Sequence, residues 1–132
     1  MEIEDDLLYT KEHEWIRIEG TTGTIGISDY AQSALGDITF IELPEVGIDV
    51  EQFEQIASIE SVKAANDIFS PMSGRVVEIN KHLEDKPEFI NKSGYDKGWI
   101  AKIKISNLDE KSNLMTADEY GKFLESLDNV EN

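Results

Sequence analysis

Glycine, proline and small polar clusters interrupt the apolar segments of this chain so often that most of it can form only short strands. Trp15 to Ile18 and Thr24 to Ile27 flank the turn-rich Glu19-Gly20-Thr21-Thr22-Gly23, a pattern that predicts a hairpin. Ile38 to Leu43 reads as a strand largely buried on both faces, ended by Pro44 and Gly47. Gln55 to Val62, Asp67 to Phe69 and Val76 to Ile79 follow, the last after the turn Ser70-Pro71-Met72-Ser73-Gly74. The cleanest period-two alternation sets Trp99, Ala101, Ile103 and Ile105 on one face against Lys102 and Lys104 on the other.

Two segments depart from this rhythm. Ser28 is placed to cap a short helix through Tyr30, Ala31 and Leu35 that stops at Gly36. Near the C-terminus the period lengthens: Thr116-Ala117-Asp118-Glu119 has the form of a capping box, and Tyr120, Phe123, Leu124 and Leu127 follow at helical spacing. A terminal helix over 116–128, packing one stripe onto the strands, is the simplest reading. At 132 residues, with no repeat and no long linker, the chain is expected to form one mainly β domain over 1–132.

Charge removes several function classes. Twenty-eight acids against twelve bases give a net charge of −16, a field that repels nucleic-acid phosphates and anionic lipid headgroups. Neither nucleic acid nor membrane is therefore an expected partner. Cysteine is absent, which excludes disulfides, thiolate metal sites and cysteine nucleophiles. The opening Met1-Glu2-Ile3-Glu4-Asp5-Asp6 resembles neither a secretory signal nor a transit peptide, and no apolar run approaches the roughly 20 residues of a membrane span. A cytoplasmic protein is expected.

Catalytic constellations are equally scarce. His13 and His82 are far apart, and neither begins an HExxH motif; GxSxG, GxxxxGK[ST] and GxGxxG are all missing. Nothing in the residues supports an enzyme.

Lys63 stands out once the charges are plotted. Between residues 18 and 74 it is the only Lys or Arg, in a stretch that contains ten acids. It lies between two strand-like segments, where a hairpin turn is expected, with the small neighbours Ser61, Ala64 and Ala65. A solvated lysine that relieves local repulsion is the plainest reading. The sharper one is an attachment point: an amine on a four-carbon stem at a hairpin tip can be acylated, giving a long uncharged arm on a rigid scaffold.

The order and spacing of several motifs resemble the H-proteins of the glycine cleavage system along nearly the whole chain. These are Tyr9-Thr10-Lys11-Glu12-His13-Glu14-Trp15, Gly26-Ile27-Ser28-Asp29-Tyr30-Ala31-Gln32, Leu35-Gly36-Asp37-Ile38 and Glu42-Leu43-Pro44-Glu45-Val46-Gly47. They continue through Glu60-Ser61-Val62-Lys63-Ala64, Ser70 to Gly74, Gly98-Trp99 and Glu119-Tyr120. The resemblance implies a hybrid barrel-sandwich of the lipoyl/biotinyl kind, with short helices including a C-terminal one, and lipoic acid attached at Lys63. It further implies a non-catalytic, monomeric carrier of an aminomethyl group. Glycine decarboxylase (the P-protein) would load it, aminomethyltransferase (the T-protein) unload it and dihydrolipoyl dehydrogenase (the L-protein) reoxidise it, after a lipoate ligase or lipoyltransferase had modified Lys63. Glu14 and Asp67 fall on positions that in the family line a cleft for the loaded arm; a cationic amine leaving water needs such carboxylates.

Three departures stand out against that family: Glu12 replaces a small hydroxyl residue, Glu51-Gln52-Phe53-Glu54 replaces a turn where glycine is common, and Gly94 replaces a frequent proline. Other readings remain at this stage. A biotin carrier usually sets its lysine between methionines, where Val62 and Ala64 stand here, and lipoyl domains of 2-oxoacid dehydrogenases typically place an acid before it. An H-like protein that relays lipoate or serves another pathway, and a plain acidic β-barrel that binds a protein partner, are the other two.

Overall fold

The computed structural model describes residues 2–131; Met1 and Asn132, the outermost positions of the expected 1–132 unit, lie outside them. The first strands are β1 (Leu8–Tyr9), β2 (Glu14–Glu19) and β3 (Thr22–Ile27). The β2–β3 hairpin is tighter than expected: Glu19 pairs with Thr22 and only Gly20-Thr21 turn the chain, with Gly20 at a φ of 64°. Helix α1 (Asp29–Leu35) begins and ends as the sequence indicated. Ser28 Oγ accepts the Ala31 N–H, and Gly36 closes the helix at a φ of 77°.

Next come β4 (Ile38–Glu42), β5 (Asp49–Val50), β6 (Gln55–Ser61), β7 (Ala65–Phe69) and β8 (Gly74–Ile79). Two single-turn helices, α2 (His82–Asp85) and α3 (Phe89–Lys92), precede β9 (Ala101–Ile105), and a 3-10 segment Leu108–Asn113 leads to α4 (Ala117–Glu131). The capping box forms: Thr116 N–H donates to Glu119 Oε1 at 2.9 Å and Glu119 N–H to Thr116 Oγ1 at 3.3 Å. No helix among the described residues is long and apolar enough to cross a membrane.

The strands form two antiparallel sheets, one in the order β1-β2-β3-β9-β8-β5 and one in the order β4-β6-β7. Facing isoleucines fill the space between them, with Ile16, Ile25 and Ile103 from the larger sheet and Ile41, Ile59 and Ile68 from the smaller. A second cluster lies under α4, where Tyr9 and Tyr120 stack at 4.3 Å between ring centres beside Leu7, Trp15 and Leu124. β2 therefore buries both faces, sending Ile16 into the main core and Trp15 towards the helix. This is the mainly β architecture with short helices and a C-terminal helix that the sequence implied.

Two expectations need correction. The strand at Ile38 is not buried on both faces: β4 is the edge of its sheet, and a register shift between Ile38 and Phe40 leaves Ile38 and Ile41 inside and Phe40 52% exposed. Trp99 does not share the buried face of β9. It precedes the strand, half-buried, with Lys102 Nζ 5.2 Å from its ring centre, while Ile100 takes the interior position.

Candidate functional site

Lys63 occupies the tip of the β6–β7 hairpin and is exposed. Ser61 builds that tip. Its N–H donates to Ala64 O at 2.8 Å, its Oγ donates to the same carbonyl at 3.2 Å, and the N–H groups of Lys63 and Ala64 both donate to Ser61 Oγ at 3.2 Å. A second anchor comes from outside the hairpin, where Val62 N–H donates to Asp37 O at 3.0 Å. A Cβ placed on Gly36 would lie 3.4 Å from Val62 Cγ2 and 3.5 Å from Lys63 Cε, so the lysine stem runs over bare backbone. Among the described residues the Lys63 ammonium forms no ion pair. The result is a fixed backbone carrying one accessible amine.

At the far end of β7 a cleft of about 460 Å³ opens between Thr10, Glu12, Phe53, Phe69 and Met115. Glu14 lies under Thr10 and Phe69, only 2% exposed. Thr10 Oγ1 donates to one carboxylate oxygen and Phe69 N–H donates to the other at 3.2 Å. Burial pushes the Glu14 carboxyl up to about 7, against the opposing pull of those two bonds. Thr10 Oγ1 also accepts the N–H groups of Glu12 and Glu14, at 3.2 and 3.1 Å, so one hydroxyl organises the whole 10–14 turn.

Two non-glycine residues among those described have positive φ: Phe53 at 67°, which lines this cleft, and His13 at 73°, next to Glu12. His13 is held there by Tyr120, whose hydroxyl lies 2.9 Å from Nδ1. Burial lowers the His13 pKa, opposed by the charge of Glu12. Phe53 takes a backbone conformation suited to glycine and stands half out of the surface as an aromatic wall opposite Phe69.

Asp67 sits elsewhere. It is exposed midway along β7, accepts Gln55 Nε2 at 3.1 Å, and lines a shallow groove with Phe40, Glu42, Ser58 and Glu60. Asp67 lines that groove and not the cleft, and Glu14, buried behind Thr10, lines neither. They are related through β7 instead: Asp67 and Phe69 share its outer face, roughly 7 and 13 Å along the strand from Ala65, and Phe69 is bonded to Glu14. Lys63, Asp67 and Glu14 thus lie in series from the turn to the cleft.

The sequence alone does not mark Thr10 and Phe69 as partners of Glu14, although Thr10 falls within the motif Tyr9 to Trp15. Phe53 left a signal: a large apolar residue in an acidic turn needs a reason.

A sequence model described as Glycine cleavage H-protein matches residues 7–127. The chain belongs to that family. It is 48% identical over 124 residues to the glycine cleavage system H protein of Staphylococcus carnosus, a match covering 94% of this chain and 98% of that one. Identity to the H protein of Geobacillus kaustophilus is 54% over 115 residues, covering 87% and 91%. A crystal structure of a glycine cleavage system H protein from Mycobacterium marinum superposes with a TM-score of 0.84 at 36% identity, over 91% of this chain and 97% of that one. Membership makes this chain a component of glycine cleavage, a carrier part of that system and not one of its enzymes.

Proposed function

We propose that Lys63 carries lipoic acid in amide linkage and that the arm shuttles an aminomethyl unit among the enzymes of glycine cleavage. The observation that carries this reading is the Lys63 turn: an exposed, unpaired amine on a hairpin tip that Ser61 and Asp37 hold in place. The turn suits the group, since Ser61, Ala64 and Ala65 are small and, among the described residues, no carboxylate pairs with the amine. Attachment would proceed through the lipoyl adenylate, formed from lipoate and ATP with release of pyrophosphate; Nζ then attacks the activated carbonyl, AMP leaves, and the ammonium gives up two protons to become the amide. Once attached, the group supplies a redox-active dithiolane that takes up the one-carbon unit and gives it up again.

The chain's own residues then bind and shield. Phe53 and Phe69 wall the cleft and displace water from its mouth. Glu14, at the base, offers a carboxylate to an entering ammonium, and that cation in turn favours the ionised form over the protonated one that burial promotes. Asp67, on the path between turn and cleft, presents an exposed acid to the same cation. The partners in this reading are glycine decarboxylase, aminomethyltransferase, dihydrolipoyl dehydrogenase and a lipoate ligase or lipoyltransferase, met by a monomer in the cytoplasm. Its acidic surface favours partners with basic rims, and salt slows each encounter.

The test is intact mass after incubation with lipoate, ATP and a lipoate ligase. A single lipoyl increment on the wild type and none on Lys63→Ala is expected. No increment on a folded wild type overturns the proposal.

A further inference from the structure

Lys63 is presented by the hairpin, but the hairpin is itself held by a side chain almost thirty residues away. Asn91, half-buried in α3, uses three of its hydrogen-bonding positions on the corner between α1 and β4. Its Nδ2 donates to Gly36 O at 2.9 Å and to Gln32 Oε1 at 3.0 Å, and its Oδ1 accepts the Ile38 N–H at 2.9 Å. The residue between Gly36 and Ile38 is Asp37, whose carbonyl accepts the Val62 N–H. Asn91 therefore holds the very peptide unit that carries this acceptor, Asp37 C=O with Ile38 N–H, and also the unit before it. The Lys63 stem also passes beside Gly36, where an added Cβ would lie 3.5 Å from Lys63 Cε.

We propose that Asn91 is a positioning residue for Lys63, fixing the α1–β4 corner so that the turn is ordered before any acylating enzyme meets it. This rests on the lipoyl-carrier reading of Lys63. The need for such a clamp follows from topology. Val62 to Ala64 lie beyond Glu60 with Ala65, the last ladder pair of the hairpin, and beyond Ser61 with Ile38, the outermost pair of β6 with β4, so the strands alone do not order the tip. The corner is the nearest fixed body. It would be a poor one alone, since Gly36 sits at positive φ and Asp37 is exposed. Pre-ordering the turn matters because an enzyme that binds a loose lysine must order it first, which raises KM while leaving the chemical step unchanged.

The test compares Asn91→Ala and Gln32→Ala with Asn80→Ala. Asn80 is a buried asparagine that also ties loop carbonyls, those of Lys97 and Trp99 at 2.8 Å each, but has no bond to the corner. It therefore reports general destabilisation. Gln32→Ala removes one of Asn91's partners and spares its backbone bonds, so it serves if Asn91→Ala does not fold. Two readouts are needed, amide exchange at Val62 and the kinetics of lipoyl transfer by ligase, lipoate and ATP. In Asn91→Ala, exchange at Val62 is expected to rise about tenfold relative to Ile59, the size expected for loss of one or two hydrogen bonds. KM for the protein substrate should rise by a similar factor with kcat held. Gln32→Ala should lie between wild type and Asn91→Ala, and Asn80→Ala should move neither readout.

Unchanged exchange at Val62 in a folded Asn91→Ala, or in Gln32→Ala if the former does not fold, overturns the clamp. Faster exchange with an unchanged KM overturns its role in positioning. Equal changes in Asn80→Ala would reduce it to ordinary stability. Failure of the wild type to accept a lipoyl group is a different result, and it removes the carrier reading on which the proposal stands.

Discussion

Glu14 and Phe69 join the two sheets: the carboxylate of a β2 residue accepts, at 3.2 Å, the main-chain N–H of the last β7 residue. A strand-end N–H that would otherwise face the cleft is thereby satisfied. The bond also ties β2, behind the cleft-lining Thr10, to the strand that runs back to the Lys63 turn. A carboxylate in this position has a stability consequence that depends on pH.

The folded protein holds the Glu14 proton up to about pH 7, whereas an unfolded chain releases it near pH 4.3. Stabilisation from this raised pKa is complete below about pH 4.3 and is lost as pH rises through 7, a change of about 4 kcal/mol at most. Glu14→Gln cannot ionise. Urea unfolding from pH 4 to 8 should show wild-type stability falling relative to Glu14→Gln across that window. A difference that stays constant with pH would mean that Glu14 titrates normally.

Phe53 separates backbone strain from side-chain function. At a φ of 67°, glycine fits without the roughly 1 kcal/mol that an L side chain incurs. Phe53→Gly should therefore be more stable than Phe53→Ala by about 1 kcal/mol, since both lose the same ring and only one keeps a Cβ at positive φ. Thermal melts of the two variants decide it, and equal melting temperatures would argue that the loop relaxes freely.

Trp15 and Gly26 are directly opposed across the β2–β3 hairpin, and the indole lies over the glycine. A Cβ on Gly26 would lie 2.4 Å from Trp15 Cζ2, and the ring cannot retreat, because it is fully buried and its Nε1–H donates to Ile27 O and Gly94 O. Gly26→Ala should destabilise by about 3 kcal/mol, the upper end for overpacking. Chemical unfolding followed by tryptophan fluorescence measures this, and a loss under 1 kcal/mol would show that the hairpin can open to admit a methyl group.

What was legible in the sequence followed from local chemistry. Ser28 and Gly36 bound α1 through bonds to residues three or four positions away, and Thr116 and Glu119 cap α4 in the same way, so their signals lie within one short window. Lys63 was visible because charge is additive along a chain, and one cation among ten acids is conspicuous whatever the fold. The edge position of β4 was not visible, since Ile38-Thr39-Phe40-Ile41 carries the same composition in an edge strand as in a central one, and only the bulge turns Phe40 outward. Asn91 left no trace at all. Its bonds to Gly36 and Ile38 span more than fifty residues, and an asparagine beside a lysine, a serine and a glycine reads as a solvated turn. Thr10 falls between these cases: its bonds to Glu12 and Glu14 are local, but its importance comes from the burial of Glu14, which is tertiary.

Ser61 gives the sharpest check on the Lys63 turn itself. Its hydroxyl receives two main-chain N–H groups and donates to Ala64 O, so one oxygen adds three bonds to the two main-chain bonds that hold the turn around Lys63. Ser61→Ala leaves those N–H groups to water, which costs little because the tip is exposed; about 1 kcal/mol of stability is expected to go, in line with the loss of a cap. The turn should suffer more than the fold. Ser61→Thr keeps the hydroxyl and should restore both the ordering of the tip and the rate at which ligase, lipoate and ATP modify Lys63, whereas Ser61→Ala should slow that rate. If Ala and Thr variants were modified equally fast, the ordering of the tip would be irrelevant to the enzyme, and exposure of the amine alone would account for the site.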